Sequence, residues 1–164
     1  MARFAITLGV VTLTVLTTSV RAAQEIVNPS MKGLIPYWTG IVDVTGHCQY
    51  SVPPTWRSDR EGHEDEIARA PDGGATVQQR WHSALSWIAY AASLRQLLKP
   101  TEVVEDSTQR LWFEYSAGWP GVHTFVAVPA SSGACGTEID VRAAASTRMT
   151  STIRQIVESV LAIR

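Results

Sequence analysis

A chain of 164 residues, 45% of them hydrophobic and 18% charged, holds enough apolar material for one core, and its formal net charge of −1 gives no electrostatic reason to bind nucleic acid or an anionic membrane. Beyond the first twenty residues no apolar run approaches the ~20 positions needed to cross a bilayer.

The N-terminus carries the strongest signal. A short basic start with Arg3 precedes an uncharged, apolar and threonine-rich run from Ala5 to Val20, and Val20-Arg21-Ala22 fits the small-x-small rule for signal peptidase. This predicts a signal peptide over residues 1–22, removed on export to the periplasm or the medium. An uncleaved signal acting as a membrane anchor is the alternative; no cysteine follows closely enough for a lipid anchor. Cleavage takes the basic residues from 14 to 12 against 15 acidic ones and leaves one domain-sized chain with no membrane attachment. In an oxidising compartment the only two cysteines, Cys48 and Cys135, read as a disulfide. It closes a loop of about 88 residues, worth up to ~4.6 kcal/mol in the chain-entropy model. Two buried free thiols are the other reading. A redox pair would want Cys-x-x-Cys, and a metal would need more ligands.

Residues 23–45 hold Pro29, Gly33, Pro36 and Gly40 with little periodicity, which predicts an extended segment lying on the domain, pinned by Met31, Leu34, Tyr37 and Trp38. A single domain over residues 46–164 follows. Cys48, Tyr50 and Val52 alternate in a half-buried strand stopped by Pro53-Pro54. Arg57 to Glu66 is charged and reads as a loop. Strands at Ile67–Ala70 and Ala75–Trp81 flank the turn sequence Pro71-Asp72-Gly73-Gly74. Ser83 is placed to cap a helix that runs to Lys99, before Pro100. A hairpin of Thr101–Glu105 with Arg110–Ser116 comes next. A pair of strands, Val122–Pro129 and Thr137–Ala143, is joined across 130–136. A last helix spans Thr150–Ile163, with Ile153, Ile156, Val157, Val160 and Leu161 as its apolar stripe. The class is α+β, an antiparallel sheet covered by helices.

In this order the chain resembles the PsbP-like superfamily, which includes the extrinsic oxygen-evolution protein of photosystem II and a Ran-binding nuclear import factor. Tyr50-Ser-Val-Pro-Pro-Thr-Trp56 is similar to the family's strand ending in Val-Pro-x-x-Trp, and Ala70-Pro-Asp-Gly-Gly-Ala-Thr-Val77 to its following hairpin. The long helix, the run of strands and a last helix ending in Ile156-Val-Glu-Ser-Val160 complete the likeness, over residues 46–164. The resemblance implies an antiparallel sheet sandwiched between helices, and binding or assembly roles with unrelated partners rather than a shared activity. The photosynthetic member's manganese and calcium role is not carried over, because its ligands have no match here.

Glu61, His63, Asp65 and Glu66, with Glu64, form the densest polar group. They could hold a divalent cation, although their spacing is not that of an EF-hand; a solvated acidic loop is the plainer reading. No Gly-x-Ser-x-Gly, phosphate loop, dinucleotide fingerprint or His-Glu-x-x-His is present. Six tryptophans are many for this length, and most suit a core covered on both faces. Trp119, in the loop Gly118-Trp-Pro-Gly121, and Trp38 are the candidates for a partner surface. The favoured reading is an exported, non-enzymatic binding or assembly factor that needs no cofactor and acts on a protein partner in the cell envelope. A divalent-metal or small-ligand module, or a small secreted hydrolase without a recognisable motif, are the alternatives.

Overall fold

The computed structural model describes residues 35–43, 45–61, 65–83 and 86–163, without the side chains of 59–61, 65 and 66. The expected signal peptide and His63 lie outside these residues. The described chain runs β1 (Thr39–Val42), β2 (Cys48–Val52), β3 (Arg57–Glu61), β4 (Asp65–Arg69), β5 (Ala75–Ser83), α1 (Trp87–Leu98), β6 (Pro100–Asp106), β7 (Leu111–Tyr115), β8 (Gly121–Ala130), β9 (Gly133–Arg142), α2 (Ser146–Ser159) and β10 (Leu161–Ala162). Two antiparallel sheets result, one of seven strands in the order β3-β4-β5-β9-β8-β7-β6 and one of three in the order β1-β2-β10. The α+β class stands as expected.

The β8–β9 hairpin is the middle of the large sheet, and alternation along it makes two cores. Phe125 and Ala127 on β8, with Leu111, Phe113 and Tyr115 on β7, meet Tyr90, Ala91 and Leu94 of α1. Val126, Val128, Cys135, Ile139 and Val141 face the other way, onto β2 and onto Ile153, Ile156 and Val157 of α2. Each helix thus covers one sheet face, and the small sheet shares a face with α2.

Several boundaries differ from the sequence reading, each for a physical reason. Arg57 to Glu66 is not a loop: β3 and β4 pair from Arg57↔Arg69 to Glu61↔Asp65, and a strand at a sheet's edge can be charged throughout. Thr39–Val42 of the N-terminal segment is a strand of the small sheet. β2 is buried along its whole length rather than on one face, because it is the middle strand of that sheet and packs between core and α2. Tyr37 does not pin the segment; it takes the second corner of the Ile35–Trp38 turn at φ 66° and stands 97% exposed, while Trp38 turns inward. The cap of α1 is Ser86, whose hydroxyl accepts the Ala89 amide at 3.3 Å, since Ser83 still pairs with Gly133 in the sheet. α2 begins at Ser146 and stops at Ser159, because Leu161 and Ala162 leave the helix to pair with Gln49 and Cys48.

The two sheets are joined covalently. Cys48 of β2 and Cys135 of β9 form the disulfide, with Cα atoms 5.7 Å apart and both residues fully buried. Beyond the reach of β10, the Ser51 amide is satisfied instead by the Ser159 hydroxyl at 2.8 Å, which donates in turn to the Ile156 carbonyl at 2.7 Å. The end of α2 is thereby tied to the strand it covers. Cys48→Ser should cost about 2–5 kcal/mol and leave a melting temperature insensitive to dithiothreitol; a wild type that melts identically with and without reductant would contradict the bond.

The edge of the large sheet opposite β3 is β6, guarded by Glu102, Glu105 and Asp106 and by two register irregularities. Glu102 lies directly opposite Glu114, and burial first, then the Glu102 charge, holds the Glu114 carboxyl above its ordinary value. A carboxyl that keeps its proton more tightly when folded subtracts stability as pH rises through its folded pKa. Glu114→Gln should therefore stabilise by about 0.5 kcal/mol at neutral pH and by nothing below about pH 4, read from urea melts at both. An equal gain at both would assign the effect to shape instead of charge.

Candidate functional site

Two-residue turn chemistry at Ser131 and Ser132 sets the β8–β9 register from Ala130↔Gly133, and that register places His123 opposite Asp140. The neighbouring strand places Tyr115 opposite His123. His123 is 2% exposed. Its Nδ1 lies 2.6 Å from Asp140 Oδ1 and its Nε2 lies 3.1 Å from the Trp119 carbonyl. Both ring nitrogens therefore face oxygen atoms of the fold rather than solvent. The ring works as a clamp: the strand pair holds the imidazole, and the imidazole holds the Ala117–Pro120 loop by the Trp119 backbone.

Above that clamp stands the Trp119 indole, packed edge-on to the His123 ring with centroids 4.2 Å apart and planes at 88°. The ring also crowds Gly121, where an added Cβ would collide with the Val141 carbonyl and come within 2.9 Å of the indole. One side of the indole is seated on this base, and 43% of the residue remains exposed. Beside it Tyr115 donates its hydroxyl to the Glu138 carboxylate, and burial and that carboxylate hold the phenol far above its ordinary value. The result is a rigid aromatic projection with the half-exposed Glu138 and Asp140 nearby, able to fill an apolar pocket on another molecule at little entropic cost.

The other expected site residues are dispersed. Trp38 is half-buried against the larger core, so it presents less of its surface than Trp119. Glu61 ends β3 and Asp65 and Glu66 begin β4, so the strand pairing places Glu61 opposite Asp65. Their side chains, and all of His63, lie outside what is described. Among the described residues no three His, Cys, Asp or Glu side chains gather as metal ligands. His47 packs on Trp81 with ring centroids 4.4 Å apart, and His82 on Tyr90 at 4.8 Å; Trp81 and His82 are consecutive in β5, so the two contacts lie on opposite faces of the sheet. Sequence reasoning missed the His123–Asp140 pair. A two-residue turn at Ser131-Ser132 would have revealed it, because the register from that turn alone sets the two residues opposite each other. His123→Ala should cost about 2 kcal/mol by removing a buried ring together with its two hydrogen bonds, measured by urea denaturation; a loss under ~0.5 kcal/mol would mean the ring is not holding the loop.

No family model and no curated protein matches the chain. Solved structures do. The solution structure of cyanobacterial PsbP (CyanoP) from Synechocystis sp. PCC 6803 is similar at a TM-score of 0.55 and 8% identity, covering 79% of this chain and 94% of that one. A crystal structure from Bacteroides thetaiotaomicron VPI-5482 is similar at a TM-score of 0.56 and 10% identity, covering 78% of this chain but only 49% of that longer one. At such identities the likeness establishes the fold: the chain has a PsbP-like fold.

Proposed function

We propose that this chain is an exported, non-catalytic binding or assembly factor that engages a protein partner in the cell envelope through Trp119. The observation that carries the reading is the indole held 43% exposed on a buried His123 ring. A large aromatic side chain clamped from behind is ordered before it binds, and aromatic anchors of this kind dominate binding energy at interfaces. Export is supported by the N-terminal leader pattern and by a disulfide closing 87 residues of sequence separation. Among the described residues no helix is long and apolar enough to cross a membrane. The engagement of both His123 nitrogens, by Asp140 and by the Trp119 carbonyl, supports a structural role for this ring beneath the indole. PsbP-like proteins resemble one another in fold while serving unrelated partners, so the partner must be read from the surface rather than from the family.

Capture from the native envelope with the oxidised protein, wild type against Trp119→Ala, tests the reading. A partner retained by the wild type and lost with the variant, at a stability cost below about 1.5 kcal/mol, is the expected result. A cost above ~3 kcal/mol would make Trp119 a core residue, and equal capture by both proteins would remove it from the interface.

A further inference from the structure

Among the described residues the small sheet ends in an open edge, and that edge borders a cavity: β10 pairs only with β2 there. Ile163 donates to the His47 carbonyl at 2.7 Å, so 163↔47 is a hydrogen-bonded pair and the alternation of an antiparallel ladder turns the Ala162 amide and carbonyl away from β2. Beside β10 lies a groove of about 1120 Å³, to which Gln49 of β2 and Glu105 of β6 also contribute. Its apolar wall is Val128 and Pro129 of β8 with Leu161 and Ile163, and Ala162 itself lines it. The β6–β7 turn supplies Arg110 to the same groove. That turn is well fixed: the Ser107 amide donates to the Arg110 carbonyl at 2.9 Å, and the Ser107 hydroxyl accepts the Arg110 amide at 3.0 Å.

Arg110 is poorly used. Its Nη2 reaches the Glu158 carbonyl at 3.5 Å, its Nη1 lies 3.9 Å from Glu105, and its buried Nε has no partner. A guanidinium presents a planar fork suited to a carboxylate, and a buried donor left over is costly until something accepts from it. An unpaired strand edge, an apolar wall for alternate side chains and an underused arginine are the parts of a site for strand addition.

We propose that this groove receives an extended, acidic segment of a partner protein, which pairs with the Ala162 backbone and places a carboxylate on Arg110 in place of Glu105. It is a surface separate from Trp119 and goes beyond the reading above.

The test uses two libraries of capped hexapeptides that are random except for one fixed central residue, Asp in one and Asn in the other, offered to the oxidised full chain. The wild type should retain the Asp library about tenfold better. Arg110→Gln should abolish that preference, Glu105→Gln should strengthen it by freeing the guanidinium, and Ala162→Pro, which removes the outward amide without breaking a bond to β2, should weaken retention of both libraries. Trp119→Ala should change nothing, which separates this site from the other. Equal retention of the two libraries, retention of neither, or an Asp preference that survives Arg110→Gln would overturn the proposal.

Discussion

The contact on which the molecule depends is the seam between β2 and the centre of the large sheet. A seven-stranded sheet with a single helix on each face would leave part of one face open, because α2 is too narrow to cover it. The small sheet fills that gap. Its middle strand brings Cys48, Tyr50 and Val52 down onto Val126, Cys135 and Ile139, and the disulfide fixes where along the face it sits. Of the two neighbours of β2, β1 precedes it directly in sequence and β10 comes from beyond α2, so the seam also gathers the two ends of the described chain.

Signals that act over a few residues were legible in the sequence. Pro71-Asp72-Gly73-Gly74 marks the β4–β5 turn: Gly73 takes φ 66°, and the Gly74 amide donates to Asp72 Oδ1 at 2.8 Å. That amide, the first of several causes, holds the Asp72 carboxyl below its ordinary value. The alternation Leu111, Phe113, Tyr115 and the stripe Ile153, Ile156, Val157 were equally plain, since each repeats at the period of its element. What failed was whatever depends on distant pairing. β3 is charged because it is an edge, and a charged run reads as loop until the sheet around it is known. Leu161 continues the helical stripe of α2 yet lies in β10, because the open edge of β2 offers more than another half-turn of helix.

The sites follow the same division. Trp119 stood out by composition, a tryptophan between glycines and a proline, but nothing local reveals what holds it. His123 and Asp140 are seventeen residues apart, and only the β8–β9 register brings them together. Reading the connection as seven residues rather than two shifts that register and hides the pair. The fold thus acts as a frame for two kinds of surface: an aromatic projection fastened at one end of the central hairpin, where β8 begins, and an open strand edge beside its other end, where β8 turns into β9. A fold likeness at 8–10% identity carries neither surface with it, which is why each is argued from its own residues.

If the seam is what orders the small sheet, cutting its covalent tie should loosen that sheet first. Hydrogen exchange on the oxidised protein and on a Cys48→Ser/Cys135→Ser double variant measures this residue by residue. Amides of β2 and β10 should lose protection by a larger factor than those of β7, whose Leu111, Phe113 and Tyr115 pack with α1 in the core that does not contain the bond. Equal loss throughout both sheets, or loss confined to the large sheet, would show that the small sheet does not depend on the seam.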